Sequence, residues 1–501
     1  MKRIAHAFLG KLNWRKRAYA VVAVCATTAM ALSAQTFTTL FSFDGTDGKQ
    51  PGTFMDLVQA TNGNLYGTAW NTVFKITPSG TLTTIYTFCS QSGCPDGEFP
   101  SGLIQAADGN LYGTAEEGGA NGYGTVFKIT PEGTLTTLHN FDGSDGNLPI
   151  GLVQAATGDF YGTTYAGGAN NNPSCLAVSY LAGCGTVFKI TPSGTLTTLY
   201  NFCPQSGCTD GIEPYAGLVQ ATNGDFYGTT AFGGANCAPV NGCGTVFKIT
   251  PSGALTTLYS FCSQSGCTDG EIPYAGLVQT TNGDLYGTTV AGGANGYFGT
   301  VFKITPSGTL TTLYSFCSLS GCADGSEPIA GLVQGTDGNL YGTTLFDGAN
   351  GPYDGTIFKI TPSGSLTTLY SFCSQSGCTD GDGPQGGLVQ DTNGTFYGTT
   401  GYGGAYNDGT VFSLSVGLGP FVETQRTSGK VGEVVEILGT DLTGATSVSF
   451  NGTPAAFTVI SPSLIAATVP AGATTGKVQV VTPSGTLLIQ LQSNVPFRVL
   501  P

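Results

Sequence analysis

The chain has 501 residues, only 10% of them charged, with 78 glycines, 25 prolines and a net charge of −14. Few charges and many turn formers suit short strands joined by many tight turns. The acidic balance argues against nucleic-acid binding, because a phosphate backbone repels such a surface.

Residues 1–34 are predicted to be a signal peptide. Lys2, Arg3, Lys11, Arg15, Lys16 and Arg17 form a basic start, Ala18 to Leu32 an apolar stretch, and Ser33 and Ala34 a small-residue cleavage point. The apolar stretch falls short of the ~20 residues that span a bilayer, so no stable membrane span is expected after cleavage. Cleavage removes six of the 17 basic residues and none of the 31 acidic ones, so −14 becomes −20. It also removes Cys25 and leaves 14 cysteines in seven close pairs: Cys89/Cys94, Cys175/Cys184, Cys203/Cys208, Cys237/Cys243, Cys262/Cys267, Cys317/Cys322 and Cys373/Cys378. In an exported chain such local pairs predict disulfides. An isolated pair with one mature-chain histidine cannot complete a zinc site.

From Gln35 a single pattern repeats seven times, anchored by Tyr-Gly at Tyr66, Tyr112, Tyr161, Tyr227, Tyr286, Tyr341 and Tyr397, with a period of 46 to 66 residues. A period of this size marks a repeat architecture in which single units cannot bury a core alone. Residues 276 to 316 show one unit. Gly276 to Gln279 is a short strand, Asn282-Gly283 predicts a type I′ hairpin, and Leu285 to Thr289 forms the second strand. Thr300 to Thr305 is the third strand, Pro306-Ser307-Gly308 a turn, and Thr309 to Phe316 the fourth. Alternation predicts Leu310, Thr312, Tyr314 and Phe316 on one face, and no segment shows a helical period. The seventh copy ends without a fourth strand, whereas Thr36 to Phe43 at the other terminus matches Thr309 to Phe316. The expected fold is therefore all-β: a seven-bladed β-propeller over 35–415, closed by its N-terminal strand. A linker at 416–420 and an Ig-like β-sandwich at 421–501 follow.

In this arrangement the Asn-Gly and Pro-Ser-Gly hairpins share one face, and the long connections share the other. Variable loops on a rigid scaffold are where binding resides. The aromatic residues near these loops include Trp70, Tyr123 and Tyr353. From the wider set, Tyr165, Tyr180, Phe232, Tyr297, Phe346 and Tyr402 are the candidate ligand-binding residues, suited to stacking on sugars or packing on a protein. Each blade-to-blade loop carries Asp-Gly-x-x-Pro, at Asp47, Asp96, Asp145, Asp210, Asp269, Asp324 and Asp380. These could ligate calcium, but their identical placement favours a structural turn, and no cofactor or metal is expected.

Third-strand lysines (Lys75, Lys128, Lys189, Lys248, Lys303, Lys359) are expected to pair with nearby carboxylates. Between Gln35 and Gly419 there is no arginine, and His139 is the one histidine. Histidine-based catalysis is thereby disfavoured, and no acidic residue stands out from the repeat. The expectation is a non-catalytic recognition or scaffold protein. The alternatives are a carbohydrate-active hydrolase or lyase using carboxylate or tyrosine chemistry, and a structural envelope protein.

The motifs Asn282-Gly-Asp-Leu-Tyr-Gly-Thr-Thr289, Gly-Gly-Ala-Asn and Gly299-Thr-Val-Phe-Lys-Ile-Thr-Pro-Ser-Gly308 resemble the GloVer tandem-repeat family of bacterial exported proteins, over nearly all of 36–414. The resemblance implies a bacterial protein that is secreted, periplasmic or at the cell surface, and it supplies no catalytic residues. Beyond Pro420, Val431-Gly-Glu-Val-Val-Glu-Ile-Leu-Gly439 and Val469-Pro-Ala-Gly472 resemble the IPT/TIG family of immunoglobulin-like domains, which implies a non-catalytic accessory module. The expected partner is an extracellular polysaccharide or protein.

Overall fold

A computed structural model describes residues 35–51, 56–170, 172–175, 181–236, 243–484 and 487–500. The predicted signal peptide, Tyr180 and Cys237 lie outside them.

The repeat region forms seven four-stranded antiparallel sheets. The first contains Val58–Gln59, Leu65–Ala69, Thr72–Ile76 and Leu82–Thr87. The fifth contains Val278–Gln279, Leu285–Thr289, Thr300–Ile304 and Leu310–Ser315. The seventh takes Val389–Gln390, Phe396–Thr400 and Thr410–Ser415 from its own copy and its fourth strand, Thr36–Ser42, from the N-terminus. Thr36 pairs with Ser415 and Ser42 with Thr410. The missing strand of the last repeat is therefore the first strand of the chain.

The sheets pack face on face because period-2 alternation gives each a Leu/Phe/Ile side and a Tyr/Val/Phe side. In the fifth sheet, Leu277, Leu285, Phe302 and Ile304 meet Tyr227, Val246 and Phe261 of the fourth. Its other side offers Tyr286, Val301 and Phe316 to Leu332, Leu340, Phe358 and Ile360 of the sixth. The last sheet meets the first in the same way, through Tyr397, Val411 and Phe43 against Leu57, Leu65, Phe74 and Ile76. The glycine of Tyr-Gly makes room for side chains of its own sheet: a Cβ on Gly287 would lie 2.7 Å from Phe302, its cross-strand partner, and 2.8 Å from Leu277.

Three local expectations are corrected. The Asn-Gly hairpins are not type I′, since Asn282 keeps a negative φ and only Gly283 turns positive, at 89°. Gly283 N–H donates to Thr280 O and Thr280 N–H to Asp284 O, the type I turn plus G1 bulge of a three-residue loop. Next, the fourth strand does not keep one face. A bulge opposite Val301/Phe302 breaks the alternation, so Leu310 packs toward the fourth sheet while Tyr314 and Phe316 pack toward the sixth.

The third correction concerns three of the predicted disulfide cysteines, Cys267, Cys322 and Cys378. The expectation of strands and turns alone fails there, because each ends a single 3-10 turn: Ser265–Cys267, Ser320–Cys322 and Ser376–Cys378. The physical reason is loop closure. Cys322 must come back to within a Cα–Cα distance of 4.1 Å of Cys317 across a separation of five residues, which a strand cannot do and one tight turn can. Cys322 itself takes a positive φ of 52° to complete the reversal.

A belt of glutamines ties the inner hairpins together. Each Gln Oε1 at the end of a first strand accepts a backbone N–H from the hairpin of the preceding sheet. The pairs run Gln105 from Thr61, Gln154 from Ala107, Gln220 from Ala156, Gln279 from Thr222, Gln334 from Thr281 and Gln390 from Thr336, at 2.7–3.3 Å. The seventh bond runs from the last sheet to the first, Thr392 N–H to Gln59 at 2.9 Å.

Residues 422–500 form a β-sandwich. One sheet orders Val422–Thr424, Val434–Gly439, Leu464–Thr468 and Phe457–Ser461, and the other Thr453–Pro454, Ser447–Phe450, Val478–Ser484 and Leu487–Gln492. Val435, Ile437, Phe450, Ile465 and Val480 fill its core. The sandwich docks on the hairpin face of the repeats. Ser463 Oγ donates to Thr61 O at 2.7 Å, Arg498 to Thr222 O at 2.6 Å and Asn494 to Gln334 O at 2.9 Å, and Phe421 N–H donates to Thr392 O at 2.9 Å. No helix among the described residues is long and apolar enough to cross a membrane.

Candidate functional site

The first strands of the first six sheets and the residues just before them line a cavity of about 310 Å³. On the loop side its mouth is built by the Asp-Gly-x-x-Pro segments. Their second variable residue is held at positive φ in every copy: Gln50, Phe99, Leu148, Glu213, Ile272, Glu327 and Gly383, at 48° to 58°. For six non-glycine residues this backbone is unfavourable, most of all for β-branched Ile272. The surrounding pairing imposes it. Ile212 bridges Phe232, Glu271 bridges Ala291, Ser326 bridges Phe346 and Asp382 bridges Tyr402, which pins each loop to the tip of the neighbouring second strand.

This scaffold gathers an arc of rings and carboxylates. Tyr165 meets Tyr215 edge-on at 5.1 Å, Tyr215 lies 4.8 Å from Tyr274, and Tyr274 lies 6.5 Å from Phe232. Tyr215 and Tyr274 line the cavity. Glu213 is fully buried, and the Tyr165 hydroxyl pKa is raised by burial and then by the charge of that carboxylate. Burial and the charge of Glu116 raise Tyr215, and burial with Glu213 and Glu327 raises Tyr274. Desolvation, with Glu117 nearby, pushes Glu116 up to about 7. The mouth is thus aromatic and acidic.

Two of the predicted binding residues, Tyr165 and Phe232, belong to this arc. Tyr297 stands apart at 72% exposure. Phe346 meets Tyr353 at 6.2 Å, and Tyr402 packs near Gly383. The arc residues Glu116, Glu213, Tyr215 and Tyr274 were not anticipated from the sequence. They occupy the changing letters of the repeat, and the signal was there: glutamate at Glu213 and Glu327 in a slot that holds Gln, Phe, Leu, Ile or Gly elsewhere, and tyrosine after the proline in two copies only.

The loop aspartates have local duties. Tyr86, Tyr200, Tyr259, Tyr314 and Tyr370 donate to Asp96, Asp210, Asp269, Asp324 and Asp380 at 2.7–2.9 Å. His139 takes the tyrosine's place opposite Asp145, at 2.7 Å. Asp47 accepts the Asp44 N–H. Among the described residues, none of these seven aspartates shares a group of three potential ligand atoms within 4.8 Å. Lys128, Lys189, Lys248 and Lys303 pair with Asp108, Asp159, Asp225 and Asp284 of the hairpins at 2.9–3.7 Å, at the opposite end from the arc. Six of the predicted disulfides are formed: Cys89–Cys94, Cys175–Cys184, Cys203–Cys208, Cys262–Cys267, Cys317–Cys322 and Cys373–Cys378. Cys243 is disulfide-bonded as well.

The architecture defines an all-β tandem-repeat protein carrying an immunoglobulin-like C-terminal domain. The model of the Gloeobacter/Verrucomicrobia repeat matches residues 27–179, 68–279, 177–323 and 240–424, and the chain belongs to that family. The IPT/TIG domain matches 421–498. No curated protein matches the chain. Among solved structures, a gluconolactonase from Xanthomonas campestris is 12% identical, with 78% of this chain and 92% of that one covered and a TM-score of 0.37. A luciferin-regenerating enzyme is 11% identical, with 77% and 98% covered and a TM-score of 0.39. An extracellular domain assigned to a hybrid two-component system of B. thetaiotaomicron is 12% identical, with 94% and 60% covered and a TM-score of 0.45. At these values the neighbours' activities carry no argument for this chain.

Proposed function

We propose that the protein is an exported, closed seven-bladed propeller that recognises an extracellular polysaccharide through its loop-bearing face without turning it over. Closure is supported by the N-terminal strand in the last sheet, the last-to-first core and the seven-step glutamine belt. The basic, apolar start of the chain and its disulfides support export.

The observation that carries recognition is the arc of Tyr165, Tyr215, Tyr274 and Phe232 at the mouth of the cavity. Flat rings next to carboxylate acceptors suit the apolar faces and hydroxyls of sugars. The single histidine of the repeats is engaged by Asp145, which supports a non-catalytic role. One observation favours an enzyme instead: a glutamate held near pH 7 at Glu116 has the protonation range of a general acid.

The test is incubation of the oxidised protein with cellulose, chitin, xylan, β-1,3-glucan and pectin, scoring retained protein and new reducing ends together. Retention without product, weakened about tenfold or more by Tyr274→Ala through lost stacking, is the expected result. New reducing ends lost on Glu116→Gln would establish the hydrolase or lyase. Retention on none of the five would move the search to protein partners.

A further inference from the structure

Six sheets place a glycine at one level of the innermost strand: Gly102, Gly151, Gly217, Gly276, Gly331 and Gly387. The first sheet has Asp56 there. Crowding accounts for three of them. A Cβ on Gly151 would lie 3.1 Å from Gly217 Cα, one on Gly276 3.2 Å from Gly217 O, and one on Gly387 3.1 Å from Gly331 O. The waist of the channel is therefore bare backbone, and Asp56 is the one ionisable side chain among the residues lining the cavity besides Tyr215 and Tyr274. Gly387 N–H donates to Asp56 Oδ1 at 2.6 Å, which holds the carboxylate across the seam between the last sheet and the first. No cation pairs with it among the described ion pairs.

The end of the channel beneath this waist is covered. The Ig-like domain hydrogen-bonds the inner hairpins of the first sheet (Thr61), the fourth (Thr222), the sixth (Gln334) and the seventh (Thr392). In a ring of seven, the first and fourth sheets are three steps apart, as far as any two can be. A single domain bonded to the inner edges of both lies across the axis. The cavity of about 310 Å³ is at the small end of the ~300–1,000 Å³ usual for ligand sites, so it suits one or two sugar units.

We infer that the channel is a one-ended pocket, stopped at the hairpin end by the Ig-like domain, which takes the terminal unit of a polyhydroxylated chain with Asp56 as the hydrogen-bond acceptor that reads it. Tyr215 and Tyr274 flank the entering unit, and the carboxylate accepts from its hydroxyls in charge-assisted bonds, the strong kind. A polymer cannot thread such a pocket; it offers its end. This inference rests on the polysaccharide reading above.

The probes are the hexasaccharides of cellulose, chitin, xylan, β-1,3-glucan and homogalacturonan, each competing against its parent polymer for the full-length protein. End recognition predicts that competition scales with the molar concentration of chain ends, so a hexasaccharide outcompetes an equal mass of polymer. Asp56→Gly installs the residue of the other six sheets, so its thermal midpoint should hold, while competition by the hexasaccharides falls about tenfold or more, the worth of a charged hydrogen bond. Asp56→Asn tests the charge alone. Competition that scales with mass, or an Asp56→Gly variant that still binds normally, overturns the inference and leaves the polysaccharide reading standing. Retention on none of the parent polymers overturns both.

Discussion

The two ends of the central channel differ in how far they respect the seven-fold repeat. At the hairpin end the copies repeat one another closely. Seven glutamines make seven bonds of one kind, and four lysines meet four hairpin aspartates. At the loop end the same slots hold Glu213, Ile272, Glu327 or Gly383, all at one positive φ. Repetition marks what the fold requires of every sheet, and departures from it mark positions free to serve a ligand. Asp56 among six glycines is the sharpest departure.

The largest effect is expected in the cores between neighbouring sheets. Phe74 is buried between the last and first sheets, and Phe302 between two internal ones. Removing a buried phenylalanine costs about 3–5 kcal/mol through lost transfer energy and a residual cavity. Phe74→Ala and Phe302→Ala should therefore shift the urea midpoint by similar amounts. A much smaller cost for Phe74 would mean that the last-to-first seam is open and that the proposed closure is wrong.

A finer probe of the seam is Gln59→Ala. Gln59 is buried; it accepts the Thr392 N–H and donates to Thr392 Oγ1. Truncation strands a buried N–H, at about 1–3 kcal/mol. Gln279→Ala in the middle of the belt should cost less in the same denaturation assay, because the Thr222 N–H that it strands is exposed and water takes it. A Gln59→Ala cost no larger than that would mean the last-to-first bond is not sealed from water.

The sequence shows why the belt stayed hidden while the sheets did not. Strand periodicity, the Pro-Ser-Gly turns and the displaced strand Thr36–Ser42 are local patterns, visible within one repeat or by aligning copies. The Gln59–Thr392 bond spans 333 residues, and a recurrent Val-Gln gives no hint of its partner. Asn-Gly is compatible with two loop geometries, and the backbone bond between Thr280 and Asp284 selects the longer loop. The 3-10 turn ending at Cys322 is too short to show a helical period, so only the cysteine spacing could have announced it. The arc at the mouth is half legible: Tyr165 and Phe232 lie in loops whose length varies, whereas Tyr215 and Tyr274 sit beside a motif whose fixed letters are the same in every copy.

Asp391 tests the hairpin end for a departure with no evident benefit. Its slot holds alanine in the first four sheets (Ala60, Ala106, Ala155, Ala221). Here the carboxyl is 1% exposed with one oxygen lacking a hydrogen-bond partner, and burial pushes it up to about 6 despite the Asn393 N–H bond. A carboxyl raised in the folded state favours folding fully below its unfolded value near 4 and loses that contribution as pH climbs through about 6. Asp391→Ala should thus be more stable than the parent by about 1–2 kcal/mol at pH 8, after allowing for the lost Asn393 bond, with the gain vanishing near pH 4. Thermal melts of both proteins at the two pH values would check this; an equal difference at both would refute the burial penalty.

The smallest effect expected is at the lysines. Lys303 lies 3.7 Å from Asp284, with both side chains roughly a quarter exposed, so water screens the pair and the gain is offset by side-chain ordering. Lys303→Ala should change stability by no more than about 0.5 kcal/mol and leave polysaccharide retention unaltered, because the pair belongs to the hairpin end. Lys128, at 2.9 Å from Asp108, is the sterner case. Against the opposing effect of partial burial, that bond helps hold Asp108 down at about 2, so Lys128→Ala should cost more than Lys303→Ala in matched melts. A retention defect from either lysine would place ligand contact at the wrong end of the channel, and the division of labour between the two ends would fail with it.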